Sequence, residues 1–145
     1  MSVQVEIVDD ASDEVVDALN ELLPQLSSTT AVVTSDQLRE LVESPSTTLF
    51  MARMNGQRVG SLTLVVFRIP TGLRGWIEDV VVHESARGAG VGEALTRAAI
   101  DEAKRRGVRS LDLTTRPSRD AANRLYTRLG FERRDTNVYR FFLEN

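Results

Sequence analysis

The chain has 145 residues, no cysteine and a formal net charge of −3, a length that fits one domain and needs no disulfide or metal staple to bury a core. Zero cysteine excludes a disulfide scaffold, a Cys-ligated metal site and thiol nucleophile chemistry, and a single histidine, His83, excludes a His-rich metal centre. A hydrophobic fraction of 41% with 27% charged residues reads as soluble and globular, and an isoelectric point near 5.2 argues against a dedicated nucleic-acid binder.

Val3 to Val8 alternates Val3, Val5 and Ile7 with polar residues, a strand signal. Ser12 is placed to cap a helix with Asp13 and Glu14 in its first turn. Its apolar stripe is Val15/Val16, Leu19 and Leu22/Leu23, and Pro24 ends or kinks it. Thr34 and Gln37 have capping-box spacing for a second short helix carrying Leu38, Leu41 and Val42. Pro45 stops that helix. Two strands follow, roughly Thr48 to Met54 and Val59 to Phe67. Asn55-Gly56 between them signals a hairpin, with Gln57-Arg58 lengthening the loop. A Pro70-Thr71-Gly72 turn leads to a strand from about Leu73 to Val82.

Glycines at 88, 90 and 92 then open a helical pattern of Val91, Leu95, Ala98/Ala99 and Ala103 that ends at Gly107. Val108 to Thr115 reads as a strand. Ser118 is placed to cap a last helix with Ala122, Leu125 and Leu129 on one face and Gly130 at its end. Two short strands, Phe131 to Arg134 and Val138 to Leu143, close the chain. The order β-α-α-β-β-β-α-β-α-β-β predicts one α+β domain spanning residues 1–145, a single mixed β-sheet flanked by helices. Met1 to Gln4 lacks a basic leader, and no apolar run approaches the ~20 residues of a membrane span. The expected location is the cytoplasm.

The densest signal is Val80-Val81-Val82-His83-Glu84-Ser85-Ala86-Arg87-Gly88-Ala89-Gly90-Val91-Gly92. An apolar strand runs into a short loop, and glycines open a helix. Such a turn suits an anion: glycines let the backbone approach closely, and the amides of a helix N-terminus face the ligand. Arg87 would add a charge-assisted contact. The Rossmann fingerprint fails because residue 93 is Glu93, and the Walker pattern fails because Glu93-Ala94 follows Gly92. What remains is Arg87-x-x-Gly90-x-Gly92. It resembles the acetyl-CoA pyrophosphate loop, Q/R-x-x-G-x-G/A, of the GCN5-related N-acetyltransferases (GNAT superfamily). Ala122 to Phe131, with Leu125-Tyr126 and Gly130-Phe131 inside it, resembles that family's A-x-x-L-Y-x-x-x-G-F element.

The resemblance implies the GNAT-like acyl-CoA N-acyltransferase fold and an acetyl-CoA-dependent N-acetyltransferase acting on a primary amine of a small molecule or peptide. It implies acetyl-CoA contacts from Val80, Val81 and Val82, from Arg87, Gly88, Ala89, Gly90, Val91, Gly92 and Glu93, and from Thr114, Arg119, Asn123 and Tyr126. Where the family often keeps an Asn three residues before the Ala of its second element, this chain has Arg119, with Asn123 further on. Arg119 is either a CoA phosphate ligand or a solvated helix residue.

The family's reaction is direct attack of a neutral amine on the thioester, which needs no covalent intermediate. Tyr126 falls on the acid's position, where its phenol would protonate the departing sulfur; the other reading is a core tyrosine at a helix edge. In Trp76-Ile77-Glu78-Asp79-Val80, strict alternation puts Trp76, Glu78, Val80 and Val82 on one face and Ile77, Asp79 and Val81 on the other. A carboxylate in an apolar strand is costly without a role or a partner. Glu78 falls where many family members keep a base acting through water, Asp79 is a second candidate, and a salt bridge to an arginine is the structural alternative. His83, just after the strand and beside the glycine loop, is either a further proton-transfer candidate or a plain loop residue. Thr114 and Thr115 lie where the family's next strand splays away.

Acceptor choice is expected from the first helices, the loop Ser27 to Thr34, the Pro70 turn and the C-terminal hairpin, segments that hold Thr29, Thr30, Arg68, Arg74, Asn137, Tyr139 and Arg140. Ile77-Glu78-Asp79 looks like the glucosamine-6-phosphate acetyltransferase branch, a match that names no substrate. The implied partners are acetyl-CoA and an amine acceptor, with no nucleic acid, membrane or metal, and a homodimer left open. The alternatives are a catalytically weak acyl-CoA-binding or sensing domain and a plain interaction module.

Overall fold

The computed structural model describes residues 2–29 and 31–144. Thr30, one of the expected acceptor-loop residues, lies outside them. Two compact units divide the chain, Met1–Thr114 and Thr115–Asn145.

The first unit runs β1 (Gln4–Ile7), α1 (Asp13–Leu22), a 3-10 turn (Leu23–Gln25), α2 (Ser35–Glu43), β2 (Thr47–Met54), β3 (Gln57–Ile69), β4 (Gly72–Val82), a second 3-10 turn (Glu84–Ala86), α3 (Val91–Arg105) and β5 (Ser110–Asp112). The strands form one sheet in the order β1-β2-β3-β4-β5. The first four are antiparallel, and β5 lies parallel to β4. Both expected caps form. Ser12 Oγ accepts from the Val15 amide at 3.3 Å. Thr34 Oγ1 accepts from the Gln37 amide at 3.2 Å, and Gln37 Oε1 accepts from the Thr34 amide at 3.0 Å. Such caps contribute about 1 kcal/mol each.

Helices cover both faces of the sheet. On one, Leu49 and Met51 of β2 and Val81 of β4 pack against Val15, Leu19 and Leu22 of α1 and Leu38 of α2. Burying each such leucine contributes roughly 1.5–3 kcal/mol. On the other face lies α3. A Cβ on Gly60 of β3 would stand only 2.7 Å from Val91 Cγ1 and 3.0 Å from Leu95 Cδ1. The missing side chain at Gly60 is what lets the first turn of α3 rest on the sheet.

Three expectations are corrected. Asn55 and Gly56 alone make the β2–β3 turn, with φ of 51° and 78°, and Met54 pairs directly with Gln57. The twist of a two-residue turn in left-handed conformation matches that of the flanking strands, so Gln57 and Arg58 stay in the ladder. The parallel strand is shorter than expected, Ser110–Asp112. The strands expected over Phe131–Arg134 and Val138–Leu143 do not form: residues 131–144 carry no regular secondary structure. A run of β-branched and aromatic residues states only a preference that pairing must realise, so it does not by itself make a strand.

The second unit contains α4 (Asp120–Arg128). Arg119, not Ser118, precedes its first turn, and no side chain caps it. Tyr126 and Phe131 meet edge to face, with centroids 5.7 Å apart, and the Phe131 amide donates to the Tyr126 carbonyl at 2.9 Å. Among the described residues, no helix is long and apolar enough to cross a membrane.

Candidate active site

β4 changes character along its length. From Arg74 to Trp76 it is paired on both sides, to β3 and, through Arg74–Ser110, Gly75–Leu111 and Trp76–Asp112, to β5. Beyond Trp76 the β5 pairing ends, and Ile77 to Val82 continue with only the β3 side in a ladder. Arg74 donates to Asp112 Oδ2 at 2.5 Å. This ion pair joins the two strands at the point where they part, so Arg74 is a strand tie in this fold. Arg68 is exposed at the end of β3.

The alternation expected for β4 is overturned by a bulge. Glu78 pairs with Thr63 and Val81 with Ser61. Asp79 and Val80 therefore stand opposite Leu62 alone, two residues against one. Asp79 has φ of 52°, a left-handed conformation that asparagine and aspartate tolerate better than most residues. Directly paired residues share a face, so the faces exchange across the bulge. Val81 joins Trp76 and Glu78 on the α1/α2 side, and Val82 joins Ile77 on the α3 side. Ile77 and Val81 are buried, while Glu78 and Asp79 are exposed. The carboxylates thus avoid the desolvation cost that strict alternation implied.

The strand leads into the glycine turn. His83 Nδ1 accepts from the Ser85 amide at 3.1 Å, and its Nε2 lies 3.5 Å from Glu21 Oε1 of α1. Gln25 Oε1 accepts from the Glu84 amide at 2.9 Å. These bonds hold the loop start against the first helix, which gives His83 a structural task. Gly88 and Gly90 both have φ of 83°, and a Cβ at either would meet nothing within 4 Å. Gly90 is the N-cap of α3 and offers no side chain to its first amides. The amides of a helix's first turn have no intrahelical acceptor, so the end of this 15-residue helix is a donor-rich, positively polarised surface. Arg87, Gly88, Ala89 and Gly90 are exposed, Gly92 and Glu93 half-buried, and Val91 buried against Gly60. Val81 gives its side chain to the core, while Val80 and Val82 are half-buried.

In the second unit, burial pushes the Tyr126 phenol above its usual pKa, and the charge of Arg119 works against that shift. Its proton is therefore retained at neutral pH. Asn123 Nδ2 donates to the carbonyls of Arg116 at 3.0 Å and Arg119 at 2.8 Å, so it organises the turn before α4. Thr114 and Arg119 are exposed, and the buried Thr115 hydroxyl has no hydrogen-bond partner among the described residues. Of the expected acceptor residues, Thr29 bonds Ser27 at 3.0 Å, and Asn137, Tyr139 and Arg140 are exposed. A cleft of about 440 Å³ lies elsewhere, between α1, the β2–β3 turn and His83, lined in part by Glu14, Asp17 and Glu21.

The Acetyltransferase (GNAT) family model matches residues 13–131. The chain belongs to the acetyltransferase (GNAT) family. N-alpha-acetyltransferase 30 of Schizosaccharomyces pombe is 38% identical over 73 residues, covering 50% of this chain and 48% of that protein; the chain thus spans about half the length of this curated relative. Among solved structures, a transcriptional regulator from Bacillus halodurans C-125 has 25% identity and a TM-score of 0.80, over 97% of this chain and 100% of that one. Glucosamine-6-phosphate N-acetyltransferase from Arabidopsis thaliana has 20% identity and a TM-score of 0.83, over 98% and 99%. An aminoglycoside acetyltransferase from an uncultured soil metagenomic sample has 18% identity and a TM-score of 0.85, over 99% and 97%. The last two show the shared GNAT fold alone.

Two features of this GNAT chain had no signal in its motifs. The bulge at Asp79 depends on cross-strand register, which local sequence does not carry. Gly60 is a lone glycine in a strand, and such a glycine signals a bulge or a close backbone approach; its meaning depends on α3 lying above it.

Proposed function

We propose that this chain catalyses acetyl-CoA-dependent N-acetylation, moving an acetyl group directly to a primary amine of a small molecule or peptide, with residues 1–145 working as one GNAT domain. The observation that carries the reading is the unpaired edge of β4 from Ile77 to Val82, running directly into the uncapped N-terminus of α3. A free strand edge offers alternating amides and carbonyls to an amide-bearing chain, and the helix end offers donors to a diphosphate. The open space at Gly88 and Gly90 fits such a ligand. Arg87, Ala89, Val91, Gly92 and Glu93 would contribute backbone or charge there, with Thr114 and Arg119 as further contacts.

The residues then divide the proton traffic. Glu78, directly or through water, takes the proton from the acceptor ammonium. The amine nitrogen bonds the acyl carbon as the C–S bond breaks, and a backbone amide of β4 near the bulge polarises the carbonyl oxygen. Tyr126 gives its proton to the departing sulfur, the nitrogen sheds its second proton to solvent as the amide forms, and Tyr126 regains a proton from solvent. The similarity to an N-alpha-acetyltransferase supports including peptide α-amines among the acceptors tested.

The test is a thiol-release screen with acetyl-CoA over amino sugars, polyamines, amino acids, aminoglycosides and peptides, alongside calorimetry with acetyl-CoA. Turnover on one amine class is expected. Glu78→Gln should then lower kcat most at the acid end of the active range, where the amine is protonated; an equal loss at every pH would assign Glu78 to acceptor positioning. The similarity to a chain described as a transcriptional regulator favours one second reading, an acyl-CoA-binding or sensing domain. Binding without turnover on any amine would select it, and no binding would remove both.

A further inference from the structure

The glycine turn begins on a short segment in which every amide has an acceptor. The His83 amide donates to the Val59 carbonyl at 2.8 Å, the Ala86 amide to the His83 carbonyl at 2.9 Å and the Arg87 amide to the Glu84 carbonyl at 3.4 Å. The two amides between them are held by side chains: Glu84 by Gln25 Oε1 at 2.9 Å and Ser85 by His83 Nδ1 at 3.1 Å. His83 is thus the N-cap of the 3-10 turn Glu84–Ala86, and that turn delivers Arg87, Gly88 and Gly90. Carbonyls and the Gln25 side chain keep their lone pairs across the neutral range. The imidazole does not. It accepts at Nδ1 only while uncharged, and both ring nitrogens become donors once it is protonated, a change imidazoles make between about pH 5 and 8. Glu14, Asp17 and Glu21 of α1 and Arg58 of β3 line one cleft with the ring, and Glu84 follows it in the chain. A charged ring keeps an acceptor for each of its protons, with Glu21 Oε1 3.5 Å from Nε2 and Ser85 Oγ 2.8 Å from Nδ1. What protonation removes is the acceptor of the Ser85 amide.

We propose that His83 is a pH-sensitive positioning residue for the glycine turn: uncharged, it fixes the entry to the turn through the Ser85 amide; protonated, it releases that amide and weakens the hold on acetyl-CoA. The proposal rests on the acetyl-CoA function proposed for the turn. The Nε2–H tautomer is the one that holds the turn, because Nδ1 must carry a lone pair. A ligand bound by successive amides is held best when those amides are already fixed in one arrangement. A 3-10 turn of three residues has few bonds of its own to fix it. The bond from the Ser85 amide to His83 is exposed, so its loss should weaken binding by about 2–5-fold, the lower part of the net worth of one hydrogen bond.

Calorimetry with acetyl-CoA at about pH 6 and about pH 8, on the wild type, His83→Asn and His83→Ala, tests the proposal, together with ring-nitrogen NMR shifts of the unliganded wild type. Asparagine accepts from the same amide as an N-cap at either pH, and alanine at neither. A phosphate monoester on the ligand titrates in the same range, so each affinity is read against His83→Asn at the same pH. The wild type should match His83→Asn at the higher pH and bind about 2–5-fold more weakly at the lower one. His83→Ala should be weaker than His83→Asn by that factor at both. The unliganded ring should carry its proton on Nε2 at the higher pH. If His83→Asn does not fold, the wild type is read against His83→Ala, which it should approach at the lower pH. An Nδ1–H tautomer, a wild-type affinity that keeps one ratio to the variants at both pH values, or a His83→Ala variant as tight as the wild type at the higher pH would each overturn the proposal while leaving acetyl-CoA binding in place. No binding by any of the three at either pH would remove the functional reading and the coupling with it.

Discussion

The two halves of β4 have opposite surroundings. Between Arg74 and Trp76 the strand has a neighbour on each side, and the Arg74–Asp112 ion pair locks it to β5. Between Ile77 and Val82 one side is free, a bulge turns two carboxylates outward, and a glycine turn follows. The first half holds the sheet together. The second half presents unpaired backbone and acidic side chains beside a helix N-terminus, which are the elements an acyl-transfer site needs. One strand thus serves both purposes because β5 is short and ends where the bulge region begins.

Gly90→Asp should have the largest effect on that second half. At ~100 times its dissociation constant, acetyl-CoA should stabilise the wild type by roughly 2.7 kcal/mol, read as a shift in melting temperature. A carboxylate beside the diphosphate should remove the shift. Without ligand, the left-handed φ at this position should cost no more than about 1 kcal/mol, because aspartate tolerates that conformation better than most residues. A normal acetyl-CoA shift in the variant would leave the glycine turn with a structural role only.

Tyr126→Phe should lower kcat about 10–100-fold, at or below the lower end for general acid catalysis because a thiolate leaves tolerably without a proton. Acetyl-CoA affinity should stay within a few-fold. Burial raises the phenol's pKa, so the alkaline loss of wild-type activity should fall above the ordinary value near 10. That loss should vanish in the phenylalanine variant. Arg119 stabilises the phenolate, so Arg119→Ala should move the loss to still higher pH. Wild-type turnover from Tyr126→Phe would assign the proton to water.

Asp79→Val separates the two halves by sign. At a regular exposed strand position, valine would gain a few tenths of a kcal/mol from strand propensity. At a φ of 52° it should instead cost about 1–2 kcal/mol, measured by denaturant unfolding. Stabilisation would mean that the bulge is not held by the fold. The smallest effect is expected from Arg74→Ala, about 0–1 kcal/mol, because the ion pair is partly solvated. Its use is to show whether the parting of β4 and β5 moves: hydrogen exchange at Leu111 and Asp112 should rise while Gly60 and Val82 are unchanged.

Much of this arrangement could be read locally. Ser12, Thr34 and Gln37 sit where the caps form, and each cap is decided within one helical turn. The glycine turn is also local, since Gly88 and Gly90 adopt conformations that other residues avoid. Ser118 was a plausible cap of the same kind, but the turn organised by Asn123 starts α4 after Arg119. The terminal strands failed for a different reason: the pattern in Val138–Leu143 states a preference for pairing and says nothing about where a partner edge is.

Sequence by itself determined the element order as far as α4, the caps of the first two helices, the turn signal at Asn55-Gly56 and the glycine-opened helix, because each depends on contacts a few residues apart. Only the tertiary structure decided which face Val81 and Val82 take, where β5 leaves β4, that Arg74 is tied to Asp112, and that Gly60 must lack a side chain beneath Val91. These depend on register and on close approach between segments distant in the chain. A one-residue bulge is enough to reverse every face that follows it.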